Sequence, residues 1–486
     1  MKNLKKILGV LLYLAAFFIS SVCNYAQAEQ VLPGNYYFSY TREDIRDKIK
    51  DNIEFDYTPY LKGEKKVGFT PDEEFYNQVR YQILLRYVEP VSDKDLLDGV
   101  FTEVGRLLKQ AGVDSTELKS IHRTGNPMNE IVKAYRDRID SNIIRLACVR
   151  GLLETLKDPH SSLLLPDEYN RLNESMSGGN FSGIGVYIML DPENSNWLTI
   201  SEPIEGTPAY KANLETGDVI LGINGESTKG QPIDVVVSKI RGPRGTKVTL
   251  SIKRKGVEKP FDVSIVRDFI HVNSVSAKLL EKKIGYIKLQ QYGSDTGQEL
   301  ETALSNLEQK GAKAIILDLR NNSGGLIDSA IIVCSKFLPR GAPVVTVVDR
   351  KGKEKVERAT GGMHPRIPLV VLVNELSASA SEITAGALRD HKRAVLIGEK
   401  TYGKGSVQVL EPVSGSSDSF ATKPAALKLT IALFYTPRGD KVNKAGIEPD
   451  IKVPMDLRNA GIKNYDKDIQ LQKAVAYLQK QLAGAK

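Results

Sequence analysis

At 486 residues the chain is longer than one hydrophobic core usually serves, and this length predicts two or three domains. Its composition is 41% hydrophobic and 26% charged, which is ordinary for a globular protein and excludes a fibrous, collagen-like or wholly disordered chain. The formal net charge of +8 arises from interleaved positive and negative residues, which indicates solubility and no nucleic-acid partner.

The N-terminus has the layout of a secretory signal peptide. Three lysines precede an apolar stretch over residues 7–22, and a small-x-small cleavage site follows at residues 26–28. This pattern predicts a signal over residues 1–28 and export, with the periplasm as the first expectation. Because the apolar run is near the lower length limit for a membrane span, an uncleaved anchor is one alternative. A lipidated Cys23 and secretion beyond the periplasm are the others.

Residues 29–172 are predicted to form a polar leader followed by a helical section. From Pro71 onward, apolar residues recur at three- and four-residue spacing, as expected for amphipathic helices. The last helical run, over residues 139–156, ends before Pro159, since proline cannot continue a helix.

Between residues 173 and 267 the pattern changes to short β-branched runs separated by glycines. Asn224-Gly225 is a tight hairpin signal within this segment. The segment is therefore predicted to be a separate β-rich domain. Its predicted strands are Ile184–Leu190, Leu198–Ile200, Val219–Ile223, Val248–Ile252 and Phe261–Val266.

Residues 268–460 alternate strand and helix patterns, which favours an α/β layer architecture. The continuous apolar run from Leu369 to Val373 suits a strand that is buried on both faces. A final segment, residues 461–486, is predicted to contain an amphipathic helix from Asp468 to Leu482.

A serine-rich turn follows the buried strand, at residues 377–382, and the next residues have good helix propensity. Ser379 would thus lie at a helix N-terminus, where free N–H groups and the helix dipole favour developing negative charge. That position suits a nucleophile. On this motif alone, a simple helix N-cap is the competing interpretation.

Lys404 lies between two glycines, in Thr401-Tyr-Gly-Lys-Gly405. A lysine acts as a general base only when its pKa falls well below about 10.4, which requires a desolvated site. The alternatives are a phosphate-binding lysine and an exposed one. The spacing of a Walker loop is missing.

The segment over residues 373–408 strongly resembles the carboxyl-terminal processing peptidases, also called tail-specific proteases. The resemblance implies that Ser379, the middle serine of its SASAS motif, is the nucleophile. It makes Lys404, 25 residues later, the general base, and Gln408 the residue that orients the lysine.

A second matching segment is the glycine-rich turn at residues 318–325. By resemblance, the N–H of Gly325 helps to form the oxyanion hole beside the N–H of Ala380, with Gly324 as the near alternative. Ser323 stands where the family usually has proline or glycine, a departure that affects the expected loop conformation.

Residues 178–185 resemble the carboxylate-binding loop of a PDZ domain. Successive N–H groups in a glycine-rich loop form an anion nest, and the adjacent strand edge can accept an extended peptide. The tail-binding residues implied are Ser182, Gly183, Ile184 and Gly185.

The fold class implied is a multidomain α+β and α/β protein. It has a helical N-terminal section, a PDZ β-barrel-like module and an α/β peptidase core of the crotonase/ClpP-like type. The function implied is an exported serine endopeptidase that recognises C-terminal tails and cleaves through a Ser-Lys acyl-enzyme mechanism, without a metal or cofactor. Substrates are expected to have apolar C-termini, while a regulatory adaptor and a homo-oligomer stay open. An inactive PDZ scaffold and a crotonase-like acyl-handling enzyme are the alternative functions.

The cysteines and histidines suggest no other chemistry. Cys148 and Cys334 lie in apolar helical patterns and are predicted to be buried free thiols, with a disulfide as the alternative. None of the five histidines has the partner spacing of a Ser-His pair.

Overall fold

The computed structural model describes most of the chain from residue 55 onward, so the predicted signal peptide and the first part of the predicted leader lie outside the described residues. None of the described helices is both long and apolar enough to cross a bilayer. The described residues are 55–176, 181–191, 197–231, 233–271, 273–362, 364, 366–413, 424–454 and 465–484.

The first part is helical, as the three- and four-residue spacing predicts. Asp72 caps α2 by accepting a hydrogen bond from the N–H of Phe75, and Ser92 caps α3 in the same way. A Cβ added at Gly99 would lie 2.4 Å from the carbonyl oxygen of Gly151, so α3 and α5 pack backbone against backbone. The helices are α1 (Thr58–Leu61), α2 (Glu73–Arg86), α3 (Asp93–Gln110), α4 (Met128–Tyr135), α5 (Ser141–Glu154) and α6 (Pro166–Met176).

The helical section shares its hydrophobic core with a five-stranded sheet built mainly from the C-terminal half of the chain. This sheet has the order β1-β18-β13-β14, with β17 paired to β18. Leu427 and Leu429 belong to the same buried cluster as the helices, and the N–H of Val88 donates to the carbonyl oxygen of Thr430 at 2.9 Å. The strands are β1 (Ser162–Leu164), β13 (Pro343–Asp349), β14 (Glu354–Arg358), β17 (Ser406–Val413) and β18 (Ala425–Tyr435).

The β-rich segment forms its own sheet and its own hydrophobic core, with strand order β3-β4-β5-β7-β8 and β6 paired to β5. The predicted hairpin turn is present, since Asn224 and Gly225 both have positive φ angles between β5 and β6. Two short helices, α7 (Pro208–Lys211) and α8 (Ile233–Ile240), complete it. The strands are β2 (Phe181–Gly183), β3 (Val186–Asp191), β4 (Trp197–Pro203), β5 (Val219–Ile223), β6 (Glu226–Ser227), β7 (Lys247–Lys253), β8 (Phe261–Val266) and β9 (Asp268–Ile270), which pairs with β2.

A six-stranded sheet of order β10-β11-β12-β15-β16-β19 forms the centre of the remaining part. All neighbouring pairs are parallel except β10 with β11, in agreement with the predicted α/β layers. Its strands are β10 (Val275–Leu280), β11 (Ile284–Leu289), β12 (Ala314–Asp318), β15 (Leu369–Val373), β16 (Val395–Gly398) and β19 (Ile451–Lys452). Its helices are α9 (Thr296–Gln309), α10 (Ile327–Ser335), α11 (Ala380–Asp390) and α12 (Ile469–Gly484).

Helices cover both faces of this sheet. Val371 and Val373 of β15 pack with α9, α10 and α11, whereas Val370 and Leu372 pack with Leu471 and other residues of α12. All five residues of β15 are buried, which confirms the strand predicted to be covered on both sides. The predicted C-terminal helix is also present.

Arg320, fully buried, joins α12 to the sheet. Its guanidinium donates to Asp318 at 2.7 Å and to Asp468 at 2.8 Å. Burial alone would raise the pKa of the Asp318 carboxyl, but Arg320 and Lys288 outweigh it and hold that pKa below its usual range. Removing the side chain of Asp318, Arg320 or Asp468 would leave a buried charge without its full set of partners, and breaking a buried ion pair in this way typically costs about 3–5 kcal/mol of stability.

The two cysteine predictions are confirmed. Cys148 and Cys334 are both buried and free. Burial is the main reason that the pKa of each thiol is raised, to about 12 for Cys334.

Candidate active site

Ser379 lies at the sharp turn between β15 and α11, where the sequence predicted a strand-to-helix turn. Its backbone has a φ of 53° and a ψ of −115°, which is a strained conformation for a residue with a side chain. Hydrogen bonds to the loop after β12 stabilise this strained conformation. The N–H of Ala378 and the hydroxyl of Ser381 both donate to the carbonyl oxygen of Asn322, at 3.0 and 2.8 Å.

Parallel pairing brings these two loops together. β12 and β15 are parallel neighbours, so the chain leaves both strands at the same edge of the sheet. A side-chain bond fixes the approach, since the hydroxyl of Ser377 donates to the carbonyl oxygen of Leu319 at 2.9 Å.

Glu382, on the first turn of α11, connects the Ser379 turn to the loop that carries Lys404. Its Oε2 accepts hydrogen bonds from the N–H groups of Ser379 and Lys404, at 2.9 and 2.8 Å. Its Oε1 accepts from the hydroxyl of Thr401 and the N–H of Gly403, at 2.5 and 2.7 Å. Burial raises the pKa of this carboxyl above its ordinary value, while the four donors oppose the rise because they favour the carboxylate.

The glycines on either side of Lys404 allow a second segment to approach closely. A Cβ added at Gly405 would lie 2.2 Å from the backbone nitrogen of Asn443. Gly403 has a φ of +95°, and its carbonyl oxygen accepts from the N–H of Lys444 at 2.7 Å. The lysine loop is therefore fixed from both sides, by Glu382 and by the 443–446 segment.

Gln408 lies on β17 and faces β18. Its amide nitrogen donates to the hydroxyls of Ser406 and Thr430, at 2.9 and 3.1 Å. The N–H of Thr430 in turn donates to the hydroxyl of Ser161, at 3.0 Å. The turn before β1 is thus brought to the same part of the sheet as the predicted lysine-orienting residue.

The two candidate oxyanion glycines differ in what they contact. The N–H of Gly324 donates to Oδ1 of Asn322 at 2.9 Å. The N–H groups of Gly325 and Ala380 make no hydrogen bond within the part of the chain that the structure describes. A Cβ added at Gly324 would lie 2.8 Å from the backbone nitrogen of Ala380, so the loop is in contact with the Ser379 turn.

The predicted carboxylate-binding loop also has a defined backbone. The carbonyl oxygens of Ile184 and Gly185 accept from the N–H groups of Ala209 and Ile204, at 2.8 and 3.0 Å. A Cβ added at Gly185 would lie 2.4 Å from Cβ of Thr207. Ser182 and Gly183 pair with β9, and the buried hydroxyl of Ser182 has no hydrogen-bond partner among the described residues.

Comparison with known proteins identifies the family. The model of peptidase family S41 matches residues 283–453, and that of the PDZ domain matches residues 199–254. A carboxy-terminal-processing protease of Bartonella bacilliformis is 36% identical over 378 residues, covering 76% of this chain and 83% of the relative. A carboxyl-terminal-processing protease of Synechocystis is 38% identical over 334 residues, covering 68% and 76%. The chain belongs to peptidase family S41.

A solved structure of a photosystem II D1 C-terminal processing protease is also similar to this S41 peptidase. It is 28% identical, covers 75% of this chain and 94% of its own, and has a TM-score of 0.41.

Membership confirms several expectations. The resemblance to the carboxyl-terminal processing peptidases is correct, the chain is a serine peptidase, and it carries a PDZ domain within the predicted β-rich segment. The mixed helix and sheet architecture with an N-terminal helical region also agrees with the predicted fold class. The peptidase match favours this function over the inactive scaffold and the acyl-handling enzyme.

Two residues of this S41 peptidase's site were missed in the sequence. Glu382 follows Ser379 in the S-x-x-E pattern of a capping box, a signal that could have identified it. His160 had no such signal, because tertiary packing alone places it near Lys404. Burial, and then the positive charges of Lys404 and Lys428, hold the pKa of His160 well below its ordinary value.

No group of three or more histidine, cysteine or acidic side chains suited to a metal ion is found among the described residues.

Proposed function

We propose that this S41 peptidase is an exported endopeptidase that recognises substrate C-termini through its PDZ domain and cleaves peptide bonds with Ser379 and Lys404. The observation that carries the proposal is the shared hydrogen-bond acceptor of the two residues. Their backbone nitrogens donate to one carboxylate oxygen of Glu382, so the two loops are held in contact although 25 residues separate them.

The chemistry starts with neutral Lys404, whose amine takes the proton of the Ser379 hydroxyl. The serine oxygen attacks the peptide carbonyl carbon, and the carbonyl oxygen becomes negatively charged. The N–H groups of Gly325 and Ala380 would donate to that oxyanion, and removing one such donor typically costs about 10²–10³ in rate. Both N–H groups lack a protein acceptor in the described chain, which supports this assignment.

Collapse of the tetrahedral intermediate breaks the peptide bond. The leaving amine takes the proton from the Lys404 ammonium, and the acyl group stays on Ser379 as an ester. Water then attacks the ester with Lys404 again as the base, which releases the product acid and restores the serine. The amide nitrogen of Gln408 donates to Ser406 and Thr430, so its carbonyl oxygen is the atom that would accept from the lysine.

Substrate selection is assigned to the PDZ loop. A C-terminal carboxylate would accept from successive N–H groups around Ile184 and Gly185, and the extended tail would pair with the adjacent strand edge. The carbonyl oxygens of both residues accept bonds from the segment before and within α7, while their N–H groups donate to no described residue and are available to a ligand.

The test compares the purified chain from residue 29 onward with Ser379→Ala and Lys404→Ala variants. The substrates are an unfolded protein with an apolar C-terminus and the same protein with a charged tail. Cleavage by the wild type alone, faster on the apolar tail, is expected. Lys400→Ala is the matched control, because Lys400 lies on the same loop and pairs with Glu448 at 2.8 Å. Undiminished cleavage by Ser379→Ala would contradict the assigned nucleophile.

Export is tested separately. Expression of the full chain followed by fractionation should place it outside the cytoplasm, and mass spectrometry should find a mature N-terminus at Glu29. A chain that retains residues 1–28 and fractionates with membranes would indicate the anchor instead.

A further inference from the structure

The loop after β12 presents two consecutive glycines to the Ser379 turn, and within the described chain only the second has an N–H without an acceptor. The N–H of Gly324 is bonded to Oδ1 of Asn322 at 2.9 Å. Gly325 makes no such bond to described residues. Of these two adjacent backbone donors, Asn322 therefore occupies the N–H of Gly324 and leaves the N–H of Gly325 available.

Asn322 is itself held rigidly. Its side chain is fully buried, and its Nδ2 donates to the carbonyl oxygen of Leu289, at the end of β11, at 2.8 Å. Its own carbonyl oxygen accepts from the N–H of Ala378 and the hydroxyl of Ser381. One residue thus contacts the central sheet, the glycine loop and the Ser379 turn.

Tyr292 determines the direction of the neighbouring peptide groups. Its N–H donates to the carbonyl oxygen of Gly324 at 3.0 Å, and its carbonyl oxygen accepts from the N–H of Leu326 at 2.8 Å. In such a parallel bridge, the residue between the two bonds directs its own N–H to the opposite side. The N–H of Gly325 therefore points away from Tyr292.

We propose that Asn322 is a positioning residue that occupies the N–H of Gly324 and so leaves Gly325 as the oxyanion donor of this loop. The inference rests on the proposed function and adds to it a residue that acts through the glycines without contacting the substrate. Without the Asn322 side chain, the Gly324 N–H is released and the loop loses its bond to Leu289. The glycine loop would then keep its backbone bonds to Tyr292, but the Gly325 donor would be positioned less firmly relative to Ser379.

The first test is Asn322→Ser, which shortens the side chain and removes the bond to Leu289. Because the negative charge on the oxygen develops only after the substrate is bound, in the transition states and the tetrahedral intermediate, kcat is expected to fall by about 10- to 100-fold while KM stays unchanged. A folded variant with kcat within twofold of the wild type, or with KM raised at unchanged kcat, would overturn the proposal.

The second test is Asn322→Asp, which keeps the shape of the side chain. A protonated carboxyl can accept from Gly324 and donate to Leu289 as the amide does, whereas the carboxylate cannot donate. The ratio of the kcat of the variant to that of the wild type should therefore rise as the pH is lowered. A ratio that is flat with pH contradicts the proposal, and dividing by the wild type removes the titration of the catalytic groups.

Asn306→Asp, at an exposed position on α9, is the matched control and should show wild-type kcat at each pH. Thermal unfolding of all variants shows whether they are folded at the assay temperature. The same measurements distinguish failure of this inference from failure of the proposed function. If the wild type does not cleave, the proposed function is wrong. If the wild type cleaves and Ser379→Ala abolishes cleavage, but the Asn322 substitutions leave kcat unchanged, only this inference is overturned.

Discussion

The backbone nitrogens of Ser379 and Lys404 donate to the same oxygen atom, Oε2 of Glu382, at 2.9 and 2.8 Å. The distance between the two loops is therefore set by a third, buried side chain. Oε1 of Glu382 also accepts from Thr401 and Gly403. Each oxygen of the carboxylate therefore accepts two hydrogen bonds.

Glu382→Gln tests this arrangement. The amide replaces one acceptor oxygen with an NH₂ group that faces N–H or O–H donors, so at least one donor loses its partner. Leaving a buried donor unpaired costs about 1–3 kcal/mol, and the free energy of unfolding should fall by that amount. We expect kcat to fall by at least about tenfold, because misplacing catalytic groups is costly.

Denaturant unfolding and steady-state kinetics measure both effects of Glu382→Gln. Glu354→Gln, at an exposed position on β14, is the control and should change neither quantity. Wild-type kcat in the Glu382 variant would show that the two loops are held by other contacts.

The lowered pKa of His160 predicts how the free energy of unfolding depends on pH. In the folded chain its pKa is well below 6.5, through burial first and then through Lys404 and Lys428. In the unfolded chain the imidazole titrates near 6.5. Between the two values the unfolded chain binds a proton that the folded chain does not bind. The free energy of unfolding should therefore fall as the pH drops below 6.5, with a limiting slope of about 1.4 kcal/mol per pH unit from this residue.

His160→Gln removes this titration, so its stability should decline less steeply than that of the wild type between about pH 6.5 and 5. Urea unfolding at several pH values gives the slopes. Asn306→Gln, an exposed substitution on α9 that neither adds nor removes a titrating group, should follow the wild-type slope. Equal slopes in all three proteins would contradict a depressed pKa for His160.

The sequence predicts those parts of the fold that depend on local pattern. The β15 run is apolar throughout because both of its faces are covered, and Asn224-Gly225 adopts the positive φ angles that its turn requires. Ser379 and Lys404 can be proposed as nucleophile and base from the sequence because their motifs are continuous in the chain.

Local sequence patterns do not predict contacts between segments that are distant in the chain. The hydroxyl of Ser161 accepts a hydrogen bond from the N–H of Thr430, 269 residues later in the chain. This contact places the neighbouring His160 near the lysine loop. Likewise, Glu382 contacts Lys404 across 22 residues through a backbone N–H, which any residue except proline could supply. Pairing of this kind is decided by how the strands are arranged, and so it becomes visible only in the folded chain.

Two glycines on the same helix, Gly99 and Gly105 of α3, should respond oppositely to alanine. A Cβ at Gly99 would lie 1.9 Å from Oγ1 of Thr155 and 2.4 Å from the carbonyl oxygen of Gly151, so α3 and α5 would have to separate. Overpacking of this kind typically costs about 1–3 kcal/mol. At Gly105 the nearest atom is 4.0 Å away, and alanine should stabilise the helix by about 0.5–1 kcal/mol.

Thermal or urea unfolding of Gly99→Ala and Gly105→Ala measures the difference directly. Because both substitutions change helix propensity in the same way, their difference isolates the packing of α3 on α5. Equal stabilities would mean that the two helices are not in backbone contact.

Gly185→Ala tests the proposed tail-binding loop. The new Cβ would lie 2.4 Å from Cβ of Thr207, and the φ of +81° is unfavourable for alanine, so the loop must change shape. If the N–H groups at residues 184 and 185 bind the carboxylate of the substrate, KM for a substrate with an apolar tail should rise. A tenfold increase corresponds to about 1.4 kcal/mol of lost binding. The kcat value should not change, because the loop takes no part in the chemical step.

Gly206→Ala is the matched control, since it has nearly the same φ, +80°, but open space around its Cβ. It carries a similar backbone strain and should keep the wild-type KM. A substrate that lacks the apolar tail should be cleaved equally by the wild type and by Gly185→Ala. If instead Gly185→Ala lowered kcat on both substrates with KM unchanged, the loop would act on the catalytic centre and would not be the site where the tail is bound.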